Sequence, residues 1–278
     1  MEWFTPDAAI DVRQGDLLIS KNPNTGLIEE FTIVITADCD ISKGKFGSHL
    51  AGLKVIFFDD YIKSIWSSRK LDKLICDEKR NLHKKICKHH TELQGTQSAL
   101  TDEGVVTWLL RDTPENIAKA LHIPARQLEK FIIYVTKYAN AFRCLSQSYD
   151  STLSLYVGFF SALNAREPSD VLSVFVSQAQ NETLPDDIFF LPCIPDVAER
   201  GAVVLLREVL AIPYSAVRYR LSEVDRREYF FRSSRLKPEF KYALSQAFGH
   251  LYSKIGLSAD YESRRKAAIA QVSSFQWS

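Results

Sequence analysis

The spacing of the apolar residues divides the chain into three stretches, and this division limits the possible folds most strongly. Short strand-like runs separated by polar turns cover residues 1–58 and return from residue 184 onward, before a C-terminal helix. Between them, residues 59–183 carry apolar residues at the helical period. Neither end has enough strands to close a sheet alone. We therefore predict an α+β fold, in which residues 1–58 and 184–278 build one small β-barrel-like domain that the helical insertion 59–183 splits.

A buried strand with polar residues at its end is the first candidate site. Phe31–Ile35 contains only β-branched and aromatic residues without charge, which predicts a strand covered on both faces. Polar groups at the end of such a strand are often used for recognition or chemistry. We predict that the following loop binds a ligand or a protein partner through Asp38, Cys39, Asp40, Lys43 and Lys45.

Three alternatives exist for this loop. Asp38 and Asp40 could hold Mg²⁺ together with substrate phosphates, which would make the protein a metal-dependent phosphohydrolase or nuclease. The sequence lacks the strand–helix alternation of haloacid-dehalogenase-type phosphatases, in which Asp186-Asp187 would be the later acidic partner. Cys39 could be a nucleophile with His49 as its base. In the third alternative, these polar groups only bond to their own loop.

Composition excludes several classes of protein. With 278 residues and 46% hydrophobic content, the chain can bury a large core, and its net charge of +1 argues against a globally basic nucleic-acid binder. No apolar run reaches the length of a membrane span, and the first residues lack the pattern of a signal peptide. The five scattered cysteines argue against a disulfide framework. We predict a cytoplasmic protein without a cofactor.

The first predicted helix of the insertion is locally basic. Residues 61–95 contain nine Lys and Arg residues and four Asp and Glu residues. Such a helix could contact the phosphates of a nucleic acid, although a solvated helix or an acidic protein partner fits the same pattern. The candidate nucleic-acid contacts here are Lys79, Arg80, Lys84 and Lys85.

The segment Thr113–Phe131 resembles a helix-turn-helix motif, which offers a DNA-binding alternative for the whole protein. Apolar residues fall where that motif packs its two helices: Ile117, Ala118, Leu121, Ile123 and Leu128. In this alignment Arg126, Gln127 and Lys130 would face the groove of DNA. His122 replaces the glycine that is usual at the turn, and the second helix is longer than a recognition helix.

Four potential zinc ligands lie on one helical face in the same basic stretch. Cys76, His83, Cys87 and His90 fall within an arc of about 60° on a helical projection. His83 and Cys87 are four residues apart and could chelate Zn²⁺ from one helix. No paired knuckle accompanies them, and a second packing face explains the same spacing. We therefore predict no metal site here.

Two short motifs resemble a family of uncharacterised bacterial proteins. Thr36-Ala-Asp-Cys-Asp-Ile41 is similar to the family's T-x-x-C-D-hydrophobic signature, and Arg235–Leu257 is similar to its C-terminal part. The resemblance implies a protein of mobile-element or phage-defence loci and carries no established activity. Our leading hypothesis is a non-enzymatic partner- or ligand-binding component of a multi-component bacterial anti-phage defence assembly.

Overall fold

The computed structural model describes residues 2–22, 25, 27–94, 100–195, 197, 201–220 and 229–253, together with residues 260, 263, 264 and 266. The chain divides into two compact units. One, which we call the β unit, comprises Met1–Phe57 and Leu184–Ser278, and the other, the helical unit, comprises Phe58–Thr183. The first boundary lies one residue before the one expected from the sequence, and the second coincides with it.

The β unit contains a sheet of eight strands. They are β1 (Trp3–Phe4), β2 (Asp16–Lys21), β3 (Ile28–Val34), β4 (His49–Phe57), β5 (Ile188–Leu191), β6 (Ala202–Pro213), β7 (Val217–Arg218) and β8 (Tyr229–Leu236). Their order is β1-β8-β2-β3-β4-β6-β5, with all these neighbours antiparallel, and β7 adds to β8 in parallel. Because β8 lies between β1 and β2, the two ends of the chain form one sheet.

Both faces of this sheet are covered, and the alternation of side chains decides which residues face which cover. Leu17 and Ile19 pack on one face with Leu244 of the C-terminal helix α9 (Pro238–Ser253). Leu18 points to the opposite face, where it packs in a cluster with Val12 of the N-terminal segment. Double coverage explains why a strand such as β3 ends in uncharged residues that are all buried.

The prediction of a barrel-like domain is wrong, because the sheet is open. Its strand path ends at β1 and β5, and the described residues contain no backbone ladder between these two edges. β1 has two residues and β5 has four, so neither edge is long enough to close a barrel. The Trp3 indole N–H of β1 donates instead to the carbonyl of Cys193, two residues after the end of β5, at 3.1 Å.

The helical unit is one contiguous bundle with its own core. Its helices are α2 (Phe58–Tyr61), a π-helical turn (Ile62–Trp66), α3 (Ser67–Gln94), α4 (Asp102–Arg111), α5 (Pro114–Ala120), α6 (Ala125–Cys144), α7 (Thr152–Asn164) and α8 (Pro168–Asn181). Leu82 and Ile86 of α3 are fully buried and pack in one cluster with Phe142 and Phe159. Among the described helices, none combines the length and hydropathy that a membrane span requires.

Gly52 of β4 offers a test of the packing between strands. A Cβ atom at this position would lie 2.3 Å from Thr32 Cγ2 and 2.5 Å from Ile212 Cδ1, both on buried residues. We expect Gly52→Ala to lower the free energy of unfolding by about 1–3 kcal/mol. Gly249→Ala in α9 is the control, because its added Cβ meets nothing within 4 Å. We expect Gly249→Ala to raise the free energy of unfolding by about 0.5–1 kcal/mol. Thermal unfolding measures the effect of each substitution. Equal effects of the two substitutions would contradict the described packing.

Candidate functional site

The predicted loop after β3 begins with a short helix, α1 (Asp38–Ser42), rather than with irregular chain. Asp38 is its first residue and makes two charge-assisted contacts. Its Oδ2 lies 2.8 Å from Lys241 Nζ in α9, and its Oδ1 accepts the backbone N–H of Gln14 at 2.9 Å. The two resembling motifs, one at each end of the chain, therefore meet through an ion pair.

Gln14 and Ser245 complete this group, which we call the Asp38 cluster (Gln14, Asp38, Lys241 and Ser245). The Gln14 side-chain amide donates to Ser245 Oγ at 3.0 Å, and Ser245 donates to the Lys241 carbonyl at 2.8 Å. Gly15 follows with φ +88°, and a Cβ there would lie 3.2–3.4 Å from the Lys241 methylenes. Glycine is thus the residue that lets this turn pass close under the lysine side chain.

The electrostatics of the cluster keep Asp38 ionised. Partial burial acts to raise the pKa of Asp38, but the hydrogen bonds from Lys241 and from the Gln14 N–H outweigh it, and the pKa is lowered below its ordinary value. A general acid or base near neutral pH needs a raised carboxyl pKa, so Asp38 is poorly suited to proton transfer. Its charge is already neutralised by Lys241, which also disfavours a metal cation.

An ion group centred on the fully buried Asp16 lies next to the cluster along the chain. Asp16 accepts hydrogen bonds from Arg235 at both carboxylate oxygens and from the Arg13 backbone N–H at 2.8 Å. Arg232 Nη1 lies 3.9 Å from the same carboxylate. Burial raises the pKa of Asp16, and the hydrogen bonds and charge of Arg235 oppose this rise. This group holds β2 against β8.

The remaining predicted loop residues face solvent. Cys39, Lys43 and Lys45 are exposed, and the Cys39 thiol lies 3.9 Å from an Asp40 carboxylate oxygen. The imidazole of His49 bonds instead to the hydroxyl of Ser48 at 2.9 Å. No hydrogen bond joins Cys39 to His49, although both are described, so the geometry does not assemble the nucleophile–base pair. All five cysteines of the chain are free.

The described residues bring no third protein ligand to the two carboxylates of the metal alternative. Within the part of the chain that the structure describes, no three His, Cys, Asp or Glu residues are grouped so as to hold a metal ion. Asp187, one of the two later acidic residues considered as partners, forms an ion pair with Arg207 at 3.7 Å.

In the helical unit, two of the four potential zinc ligands, His83 and Cys87, have other contacts. His83 Nε2 donates to the Leu100 carbonyl at 2.6 Å, and His83 Nδ1 lies 3.1 Å from Asp102 Oδ1. Burial raises the pKa of the Cys87 thiol, and the nearby Asp102 carboxylate adds to this rise. A raised pKa disfavours the thiolate that zinc binds. His83 therefore fixes the segment before α4 on α3.

The predicted basic helix is only partly free for a partner. Lys79 lies 3.8 Å from Glu103, and Arg80 lies 3.7 Å from Asp77, so two of the four candidate cations have carboxylate partners. Lys84 and Lys85 are exposed.

The helix-turn-helix candidate corresponds to α5 and α6. His122 has φ 49°, the left-handed conformation that favours the glycine usual at such a turn. Ile117, Ala118 and Leu121 are buried as predicted, whereas Leu128 is exposed. The three predicted groove-facing residues, on the first two turns of α6, are all exposed: Arg126, Gln127 and Lys130.

Sequence reasoning missed most of the Asp38 cluster. No motif marks Gln14 as a site residue, and Lys241 and Ser245 lie within the C-terminal motif without any feature that singles them out. The available signal was a pair of opposite charges, Asp38 and Lys241, each inside one of the two resembling motifs.

Comparison of the chain with protein-family models, with curated proteins and with solved structures finds no match.

The pairing of Asp38 predicts a pH-dependent stability. Because its pKa is lower in the folded protein than in the unfolded chain, its contribution is present above the unfolded value and lost as the pH falls through the folded value. We expect Asp38→Asn to lower the free energy of unfolding by about 1 kcal/mol at pH 7. We expect this difference to shrink below about pH 4.

Urea unfolding at pH 7 and pH 3 measures this difference. Asp40→Asn is the matched control in the same helix, and we expect little change from it at either pH, since its carboxylate has no ion pair in the described residues. A constant deficit for Asp38→Asn at both pH values would contradict the ion-pair explanation.

Proposed function

We propose that this protein is a non-enzymatic, partner-binding component of a cytoplasmic bacterial defence assembly, and that it binds through the exposed residues after Asp38. The observation that carries the proposal is the pairing of Asp38 with Lys241 and Gln14. The carboxylate that a catalytic role would require is used to fix the segment. The link to phage defence depends on the resemblance of Thr36–Ile41 and Arg235–Leu257.

Several contacts support recognition by this segment. Ile41 is buried in the sheet cluster, and the ring of Phe46 lies 5.0 Å from that of Tyr214. Between these two anchors, Lys43 and Lys45 are exposed and have no ion pair in the described structure. The packed side chains of Ile41 and Phe46 thus hold a segment with two lysines that have no carboxylate partner among the described residues. Such a segment is complementary to an acidic protein surface, because complementary charge guides association and orientation.

The test is a binding experiment with charge-reversal variants. Lys43→Glu combined with Lys45→Glu should reduce capture of the native partner from the host at least about tenfold, as expected when two favourable charge contacts become repulsive. Lys73→Glu with Lys119→Glu is the control, since both residues are exposed and the net charge changes equally. Partner capture that is equal for both double variants would contradict the proposal.

A second candidate function, nucleic-acid binding by the helical unit, has its own supporting observations. Arg126, Gln127 and Lys130 form an exposed surface on the first turns of α6. Farther along α6, the ammonium of Lys137 lies 5.6 Å from the centre of the Tyr134 ring, and that of Lys85 from α3 lies 6.0 Å from it. Cations beside an aromatic ring at a helix surface are typical of contacts with phosphates and bases.

Fluorescence anisotropy with labelled DNA tests this second candidate. We expect weak, salt-sensitive binding at low ionic strength that falls about tenfold for Arg126→Ala with Lys130→Ala. Lys43→Ala with Lys45→Ala is the matched control, since both residues are exposed and lie in the β unit. An absence of DNA binding at low salt, or an equal loss of affinity in both double variants, would contradict nucleic-acid binding by the helical unit.

A further inference from the structure

The β unit contains a recess that shares no residue with the Asp38 cluster. It lies beside the end of β6, on the face of the sheet that carries Ile212 and Phe230 in its apolar cluster. Its volume is about 390 Å³, within the range of ligand sites. We call it the Glu30 groove, and its lining residues are Glu30, Leu210, Ile212, Ala216 and Phe230, with Ala211 and Pro213 at the strand end.

Glu30 is the charged residue of this groove. It is half-buried among apolar side chains, and its carboxylate has no hydrogen bond or ion pair in the described structure. A carboxylate that is partly removed from water without a counter-ion lowers stability, and a bound cation would relieve this cost. The charge of the groove therefore favours a ligand that brings a positive charge on an apolar stem.

The groove lies next to an open strand edge. β5 pairs with β6 as far as Leu206, whose N–H donates to the Asp187 carbonyl at 3.0 Å. The register with β4 shifts between Val204 and Val209, and from Val209 to Pro213 the described structure pairs β6 with β4 alone. Exposed residues in this part of the strand include Val209 and Ala211, as expected for an edge without a neighbour.

The pairing with β4 shows which backbone groups face the open side. The Ala51 N–H donates to Thr36 Oγ1, and the Ala51 carbonyl accepts the N–H of Ile35, so both groups of Ala51 point away from β6. Ala211, the partner of Ala51, then directs its own N–H and C=O away from β4. Val209, two residues earlier, has the same orientation.

We propose that this edge and the Glu30 groove together bind an extended peptide segment that carries a Lys or Arg side chain. The peptide backbone adds to β6 as a strand through Val209 and Ala211. Its basic side chain lies on the same face as Leu210, enters the groove and pairs with Glu30. The backbone groups of Val209 and Ala211 have no partner among the described residues, and this favours a peptide over a small amine, which would leave them unused. The site shares no residue with the proposed partner-binding segment.

A model peptide tests the site directly. The full-length protein, labelled with ¹⁵N, is titrated with acetyl-Thr-Val-Lys-Val-Thr-amide and followed by two-dimensional NMR. We expect millimolar binding, with the amide signals of Val209 and Ala211 shifting most. Replacement of the peptide lysine by norleucine, or Glu30→Gln in the protein, should weaken binding about tenfold.

Two further variants separate the possible outcomes. Ala211→Pro removes an edge N–H that is outside the β4 ladder, so we expect the fold to persist and the peptide to bind more weakly. Lys43→Glu with Lys45→Glu should leave peptide binding unchanged, which distinguishes this site from the proposed function. No shift at Val209 and Ala211 with millimolar peptide would overturn the proposal, as would equal binding of the lysine and norleucine peptides.

Discussion

The buried Asp16 carboxylate is the constraint on which the β unit depends. A charge removed from water costs several kcal/mol unless it is paired and hydrogen-bonded, and loss of one partner of such a pair costs roughly 3–5 kcal/mol. The partner of Asp16 in β2 is Arg235 in β8, 219 positions later in the chain. A different strand beside β2 would leave Asp16 unpaired. Charge therefore specifies which strands of the two chain ends become neighbours, while apolar contacts supply most of the stability.

The segment just before Asp16 also determines the contacts of Asp38. Gln14, two residues before Asp16, donates its backbone N–H to Asp38 and its side-chain amide to Ser245. The Asp38–Lys241 ion pair thus repeats, nearer the surface, the connection that Asp16 and Arg235 make in the core. A carboxylate in this position stabilises the start of α1 and has little capacity left for proton transfer or metal binding. In the segment after Asp38, Lys43 and Lys45 are exposed to solvent.

Local features of this fold could be predicted from the sequence, and features that depend on distant residues could not. The burial of Phe31–Val34 and the change of period near residues 58 and 184 are visible in short windows. Whether the sheet closes into a barrel depends on the lengths of β1 and β5, which no short stretch of sequence reveals. The contact between Asp38 and Lys241 spans 203 positions, and no periodicity specifies such a pair. His83 likewise bonds to Leu100, a residue outside its own helix.

The position of the insertion follows from the sheet topology. Phe57, the last residue of β4, and Leu191 of β5 are both paired with Ala202 of β6. The chain leaves the sheet at Phe57 and returns to it at Ile188, three residues before Leu191, on a strand two spacings away. These two points are therefore roughly 14 Å apart. The helical unit is contiguous in sequence and rich in local contacts, whereas the sheet needs residues from both chain ends, so we expect the helical unit to fold first. Its folding would shorten the effective loop between β4 and β5 and reduce the entropy lost when the sheet forms.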